Sequence, residues 1–360
     1  MNNHKTKDMP QSKLKVAIVV DPIIKYEKWF EDVKYVVKTF PNSDIFTAYY
    51  NPKIVKKHFK DIKVNDTFLQ LITPENNRKE IWLKLERLAY KSLHLKNYDA
   101  VVSLSSRCAK YVNIGKDVKH IPIITNPHQI FKSKKLNSKD RKYTSKLENI
   151  LVNTAKEKRK IKKIYKVDST VIYPPVNTKK YTPKTILNRK ENWFLTDSTL
   201  SNRSLRLVIK AVIEANAHLK ILGKTEDSEE LIKEFKARGQ IKFMGDIPRK
   251  GMISMIQHSK AYIYPTKSNN WNSCFVKANA SGTAVIGYKR SIASELLSLD
   301  NPKTGVCFDK YNYKSLAKIL KDFNSEEFNS RNCIINAQEF DSSIFMYKLK
   351  TYVEDIVQSS

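Results

Sequence analysis

Glycine is scarce in this chain, with 8 in 360 residues, against a typical usage of about 7%. Loops that cradle phosphate with backbone N–H groups depend on glycine for close approach, so such loops are poorly supplied here. Cysteine is also sparse. Cys108, Cys274, Cys307 and Cys333 lie far apart without a Cys-x-x-Cys pair, which argues against a zinc site or disulfide framework and for reduced thiols in a cytoplasmic protein. The few His and Cys form no ligand cluster, so no protein metal site is expected. No run of about 18 apolar residues occurs, so no transmembrane helix is expected. Residues 1–12 are polar, without the apolar core of a signal peptide, and are expected to be a disordered tail. Acidic residues are outnumbered, 36 against 66 Lys plus Arg, for a formal net charge of +30. That excess implies attraction to phosphates, whether in nucleic acid, anionic lipid or a phosphorylated substrate. It is scattered along the whole chain, and Lys, Asn and Ile are all abundant, so an AT-biased genome explains it equally well. No nucleic-acid-binding motif accompanies the charge, and no nucleic-acid partner is expected.

What the chain does contain is alternation. Leu14–Asp21 (LKVAIVVD) is a short apolar run of β-branched residues, the pattern of a buried parallel strand. Ile24–Phe40 follows at helical spacing. Further strands are expected at Ser43–Tyr50, Asp99–Leu104, Lys119–Ile124 and Ser169–Tyr173, with helices at Lys79–Leu95 and Val152–Tyr165. Pro174-Pro175 stops this series. A second series runs from Asn192, with strands at Asn192–Leu195, His218–Leu222, Gln240–Met244, Ala261–Tyr264 and Ala284–Tyr288. Helices at Ser204–Ala217, Glu229–Arg238, Lys250–His258 and Phe275–Ala280 separate them. Strand and helix alternate throughout, which predicts an α/β protein of two doubly wound, Rossmann-like domains. The expected boundaries are 13–180 for the first domain, 181–191 for a linker, 192–338 for the second domain and 339–356 for a closing helix. Ligands of such sheets bind beyond the carboxyl ends of the strands, and two facing domains put a ligand in the cleft between them. The densest charge run, Lys156–Lys163 (KEKRKIKK), reads first as a solvated helix face. Its alternative is contact with anionic membrane headgroups.

Several stretches resemble glycosyltransferase family 4, the retaining GT-B enzymes, over roughly residues 14–355. Tyr173-Pro174-Pro175-Val176-Asn177-Thr178 resembles the segment that ends the family's first domain. Leu219–Gly223 (LKILG), Ile241–Gly245 (IKFMG), Lys260–Pro265 (KAYIYP) and Ala278–Ile286 (ANASGTAVI) resemble successive stretches of its second domain. Gln338–Val353 resembles the helix that returns to the first domain. The resemblance implies a nucleotide-sugar co-substrate, no metal cofactor, and a second domain that holds the nucleotide.

Within that resemblance the site residues differ from the family pattern. The family's Gly-Arg pair aligns with Asp197-Ser198 and its following Lys with Arg203. Its Glu-x7-Glu element aligns with Asn269 and Lys277. Its Gly-Gly loop aligns with Lys25-Tyr26, before Glu27, and a His after Ser105-Ser106 aligns with Arg107. Glu295 in Ser291–Leu296 keeps the family's carboxylate, and Gly223 keeps its turn, followed by Lys224. The resemblance therefore implies Arg203, Lys277 and Glu295 as catalytic candidates. Lys224, Asn269, Asn270, Ser198 and Gly223 are the donor-binding candidates, and Arg107, His128 and Glu27 lie on the acceptor side. Lys277 is expected at a helix N-terminus, where the dipole favours anions. An ammonium only donates hydrogen bonds, so it would meet a phosphate rather than ribose hydroxyls. Trp271 is a candidate for stacking on a sugar or base.

Two readings follow. In the first, the chain moves a hexose, mannose-like, from a nucleotide sugar to a lipid-linked or surface glycan with retention, with peripheral contact with an anionic membrane. In the second, the fold persists as a non-catalytic glycan-binding or regulatory partner protein, as the replaced acidic and glycine positions suggest.

Overall fold

The computed structural model describes residues 12–27, 29–60, 62–72, 80–125, 134–185, 190–223, 229–235 and 238–359. Residues 1–11 of the tail expected over 1–12 lie outside the described residues, whereas its last residue, Ser12, is ordered against the fold: it is buried and its hydroxyl donates to Glu354 Oε1 at 2.7 Å. The chain divides into two compact units. Unit 1 holds the residues up to Pro175 together with Ser342–Ser360, and unit 2 holds Val176–Asp341.

Unit 1 is built from β1 (Val16–Val20), α1 (Trp29–Thr39), β2 (Ser43–Thr47), α2 (Pro52–His58), β3 (Val64–Asn65) and α3 (Glu80–Lys91). β4 (Ala100–Ser105), β5 (Lys119–Ile124), α4 (Lys134–Thr144), β6 (Leu151–Val152), α5 (Ala155–Tyr165) and β7 (Thr170–Val171) complete the series. The strands form one parallel sheet in the order β3-β2-β1-β4-β5-β6-β7. Every side chain of β1 is fully buried, as expected of a strand covered on both faces. The helix expected over Ile24–Phe40 begins only at Trp29. The preceding residues are tied to the sheet instead, where Ile23 N donates to Tyr49 O and Asn51 N donates to Ile23 O.

The basic run 156–163 lies on α5. Thr154 caps that helix by accepting from Glu157 N, and the Glu157 carboxylate accepts in return from Asn153 N. Glu157, Ile161 and Tyr165 face inward. α4 packs beside α5 around a buried charge. Asp140 accepts from Tyr111 and Tyr165 and pairs with the fully buried Lys110 at 2.9 Å. A carboxylate this deep is tolerable only because it is paired and hydrogen-bonded.

Unit 2 repeats the plan with β8 (Phe194–Asp197), α6 (Asn202–Glu214), β9 (Leu219–Leu222), α7 (Glu229–Phe235), β10 (Ile241–Gly245) and α8 (Arg249–His258). β11 (Tyr262–Tyr264), α9 (Ser273–Ala280), β12 (Val285–Tyr288), α10 (Ala293–Leu296), β13 (Gly305–Phe308), α11 (Tyr313–Lys321) and α12 (Ser330–Gln338) follow. The parallel order is β10-β9-β8-β11-β12-β13. Of the apolar stripe expected on α6, Leu205, Val208, Ile209 and Val212 are buried and Ile213 is half-buried, and Ser201 caps the helix. The closing helix α13 (Ser342–Gln358) returns to unit 1, where it packs on α1 and β5. Its Phe345, Leu349 and Val353 enter the same core as Val16 and Ile18.

Gly305 opens β13 where the neighbouring strand's backbone crowds it. A Cβ there would meet the Val285 carbonyl oxygen at 2.5 Å and Leu297 Cδ1 at 2.8 Å. Because a backbone oxygen cannot step aside cheaply, Gly305→Ala is expected to lower stability by about 1–3 kcal/mol. Urea unfolding followed by circular dichroism checks this.

Candidate active site

Both sheets reverse their order beside the first strand, between β1 and β4 in unit 1 and between β8 and β11 in unit 2. Crevices open at such reversals, beyond the carboxyl ends of the strands. Each reversal here carries a pocket.

In unit 2 the pocket is open, about 240 Å³ in volume. Thr199, Leu200, Ser201, Arg203 and Ser204 supply one wall, Tyr264, Thr266 and Lys267 another, and Tyr311 the floor. Arg203 is exposed in the first turn of α6, at the end of the helix that favours anions. Lys267 extends its ammonium over the Tyr311 ring, 4.5 Å from the centroid. The Tyr311 hydroxyl is fixed by the Pro265 carbonyl at 2.6 Å and by Ser204 Oγ at 2.7 Å. Two cations and a ring of hydroxyls thus converge on one crevice, a donor set that suits phosphate oxygens.

Asp197 ends β8 beside this pocket, yet its carboxylate is engaged elsewhere. It accepts from the buried Tyr262 hydroxyl, from Thr199 N at 2.9 Å and from the Thr199 hydroxyl. It therefore shapes the turn that follows β8 and binds that turn to β11. Ser198 and Gly223 meet directly. Gly223 has φ +98, and a Cβ on it would fall 2.5 Å from Ser198 Oγ. Ser198 N donates to Leu222 O, and Gly223 N to Gly245 O. Lys224 lies outside the described residues, as does His128.

Asn269, Asn270 and Glu295 form a second group. Ile292 N, just before α10, donates to Ser268 O, which joins the Asn269–Asn270 loop to the short helix carrying Glu295. Asn270 N donates to Ser268 Oγ. The Asn269 Oδ1 atom is enclosed and accepts no hydrogen bond from the described residues. Lys277 does not stand at a helix N-terminus. Asn272 caps α9 by accepting from Cys274 N, so the helix starts at Ser273 and Lys277 falls in its last turn. Its ammonium lies 5.5 Å from the centre of the Tyr181 ring, where it gains nothing from the positive helix end. Trp271 packs against Phe340, with ring centroids 5.6 Å apart, which is a packing role rather than an open stacking platform.

In unit 1 the dominant interaction is one that the sequence reading did not single out. Asp21, at the end of β1, accepts from the backbone N–H groups of Ser106 (2.7 Å), Arg107 (2.8 Å), Cys108 (3.0 Å) and Ala109 (3.0 Å). The loop after β4 is therefore an anion nest already filled by the protein's own carboxylate. Arg107 is turned inward, and its guanidinium meets the fully buried Glu86 at 2.5 Å. Burial pushes the Glu86 carboxyl up to about 7 against the pull of Arg107. Glu27 is exposed and accepts from Trp29 Nε1 at 2.9 Å. Trp29 in turn lines a small cavity of about 40 Å³ with Asp21, Asp32, Ser106, Thr125, Asn153 and Phe345 among its walls. Of the acceptor-side candidates, Glu27 thus reaches this cavity through Trp29, and Arg107 serves Glu86.

Among the described residues no group of three or more His, Cys, Asp or Glu is placed to hold a metal ion. No helix of these residues is long and apolar enough to cross a membrane.

With the geometry in view, the comparisons with known proteins decide the fold family. Residues 177–340 match the family model described as glycosyl transferases group 1. Unit 2 therefore carries a match to the group 1 glycosyl transferases. No curated protein sequence matches the chain. Solved structures do. A glycosyltransferase from Rickettsia africae shares 16% identity over 96% of this chain and 99% of its own, with TM-score 0.68. The lipopolysaccharide outer core galactosyltransferase WaaB, in its apo form, shares 14% over 95% and 99%, with TM-score 0.71. HepE of Anabaena, solved in complex with UDP, shares 11% over 94% and 99%, with TM-score 0.68. The chain has the GT-B fold of these enzymes.

Asp32 supplies a test of the unit 1 cavity. Burial, with Glu31 adding repulsion, raises its carboxyl from 3.8 to about 7. A raised carboxyl favours folding fully below about pH 4, and that contribution is lost as pH rises through about 7. Asp32→Asn is therefore expected to match the parent at pH 4 and to exceed it at pH 8 by on the order of 1–2 kcal/mol, allowing for partial solvent contact. Thermal melts across that range check it.

Proposed function

We propose that the chain is a glycosyltransferase that binds a nucleoside-diphosphate sugar in unit 2 and transfers its hexosyl group, mannose-like, with retention. The acceptor is a lipid-linked or surface glycan. The observation that carries this reading is the convergence of Arg203 and Lys267, with surrounding hydroxyls, at the β8/β11 reversal of the unit that matches the group 1 glycosyl transferases. Transfer breaks the bond from the sugar's anomeric carbon to the diphosphate and forms one to the acceptor oxygen, whose proton departs. Negative charge builds on the leaving diphosphate, and fixed cations there lower the barrier. Arg203 and Lys267 take that role, so no metal is required. Glu295 and the Asn269–Asn270 loop hold the sugar or ribose hydroxyls. That HepE was solved with UDP supports a uridine nucleotide as the first probe.

A second reading rests on Lys277. This ammonium lies over Tyr181 and cannot accept hydrogen bonds from ribose hydroxyls. In that reading the domain binds a glycan or a partner protein without transfer.

A panel of UDP- and GDP-sugars at millimolar concentration separates the two. A donor that binds only the folded state raises the melting temperature. Arg203→Ala and Lys267→Ala are each expected to weaken the binding of that donor by about tenfold, with fold retained, since each removes a charge-assisted contact. Release of free nucleoside diphosphate in the presence of glycan acceptors then reports transfer. Absence of any shift across the panel sinks the enzyme reading, and indifference to both cation variants refutes the assigned pocket.

A further inference from the structure

The small cavity of unit 1 runs against the charge of the chain. Among the described residues its only charged walls are two carboxylates, Asp21 and Asp32, in a protein with 66 Lys plus Arg. The two are in different states. Asp21 is saturated, since it accepts from the Ser106 hydroxyl at 3.1 Å besides its four backbone donors. Asp32, in the first turn of α1, receives no hydrogen bond or ion pair from the described residues. An enclosed carboxylate without a partner costs stability, and an amide of the same shape would cost less. A side chain kept at that cost on a cavity wall is a candidate for ligand contact.

The remaining walls decide the kind of ligand. Trp29 is held edge-on against Phe30, with ring centroids 4.6 Å apart, and its indole N–H is fixed by Glu27. Thr125 and Asn153 add a hydroxyl and an amide, neutral groups that both donate and accept. Ile123 and Phe345 are apolar and withhold solvation from any charge brought in. A phosphate or carboxylate placed here would face Asp32 with no cation on the described walls to offset it. An alcohol adds no charge and donates to Asp32. The volume of about 40 Å³ admits a hydroxyl or hydroxymethyl group rather than a whole hexose.

Resting on the reading that a glycan engages unit 1, we infer that Asp32 is a specificity-determining residue for that glycan. It accepts a hydrogen bond from a hydroxyl of an uncharged sugar and turns away sugars that carry phosphate or carboxylate at the same position. Discrimination arises as much from the repulsive charge as from the new bond.

Saturation-transfer NMR on the full chain at pH 8, without nucleotide, tests this. The probes are the methyl glycosides of mannose, glucose and galactose, set against mannose 6-phosphate, glucose 6-phosphate and glucuronate. The parent is expected to bind at least one methyl glycoside and to bind its anionic counterparts about tenfold more weakly or worse. Asp32→Asn keeps the shape, removes the charge, and is expected to narrow that ratio to about threefold or less. Glu31→Gln removes a neighbouring acid that is exposed and off the cavity wall, and is expected to leave the ratio unchanged. Equal or tighter binding of the anionic sugars by the parent overturns the inference. So does failure to bind any methyl glycoside, or an unchanged ratio in Asp32→Asn. Tighter binding of glucosamine than of methyl glucoside also overturns it, in favour of an ammonium as the group that Asp32 receives. Failure of the transfer reading looks different. A chain that selects uncharged glycosides through Asp32 but releases no nucleoside diphosphate keeps this inference and loses transfer, whereas one that glycosylates anionic acceptors equally well keeps transfer and loses this inference.

Discussion

An aspartate ends the first strand of each sheet, and in each unit its carboxylate ties down the loop that borders the crevice. Asp21 gathers four consecutive backbone N–H groups after β4. Asp197 joins the turn after β8 to Tyr262 on β11. These bonds span the point where strand order reverses, which is where neighbouring connections leave in opposite directions. A charged acceptor bonded to several amides is strong and local. The loops around both pockets inherit their shape from it. In unit 1 the same bond has a chemical consequence, because a nest that already holds a carboxylate has no free N–H groups for a phosphate. In unit 2 the carboxylate is drawn to Tyr262 and Thr199, and the crevice is left to Arg203 and Lys267.

Glycine scarcity and these carboxylates belong to one arrangement. Unit 1 keeps Gly115 as its single glycine, while the other seven lie in unit 2. There, Gly223, Gly245 and Gly282 have positive φ, and Gly287 and Gly305 sit where a Cβ would strike a neighbour. At these five positions backbone geometry demands glycine, whereas Gly239 and Gly251 have room for a Cβ. The Asp21 nest, by contrast, is formed by Ser106, Arg107, Cys108 and Ala109, which adopt it without glycine.

The strand runs were legible because parallel strands buried on both faces read as continuous apolar segments, and Lys119–Ile124 was found with its full extent. α4 was not legible. Its inward anchor is Asp140, bonded to Lys110, Tyr111 and Tyr165, and polar packing leaves no hydrophobic period to read. β13 escaped because it is four residues beginning at a glycine. Arg203 and Glu295 were singled out through their resemblance to a family pattern, and the structure puts Arg203 on the wall of the unit 2 pocket. Lys267 belongs to no motif and gains meaning only when β11 brings it beside α6. The Asp21 nest joins residues 85 to 88 positions apart, and its donors are main-chain groups, which carry no side-chain signature. Lys277 was placed at a helix start by the small residues after it, whereas Asn272 begins that helix earlier.

Side-chain cations and backbone amides bind anions by different physics, and the choice governs how this pocket would behave. Amides of a nest are held by the fold, so little conformational entropy is lost when an anion arrives. An exposed Arg or Lys must be immobilised, and its attraction is screened as ionic strength rises. The Lys267 ammonium is partly restrained by the Tyr311 ring, whose hydroxyl is itself anchored by Pro265 and Ser204. That chain of contacts recovers some of the order that a glycine loop would have provided. It also makes Tyr311 a positioning residue for the cation, acting from a connection after β13 two strands away from the reversal. The pocket is thus assembled from elements well separated in the chain, and the grip on a diphosphate proposed for it would depend on tertiary packing more than on any contiguous motif.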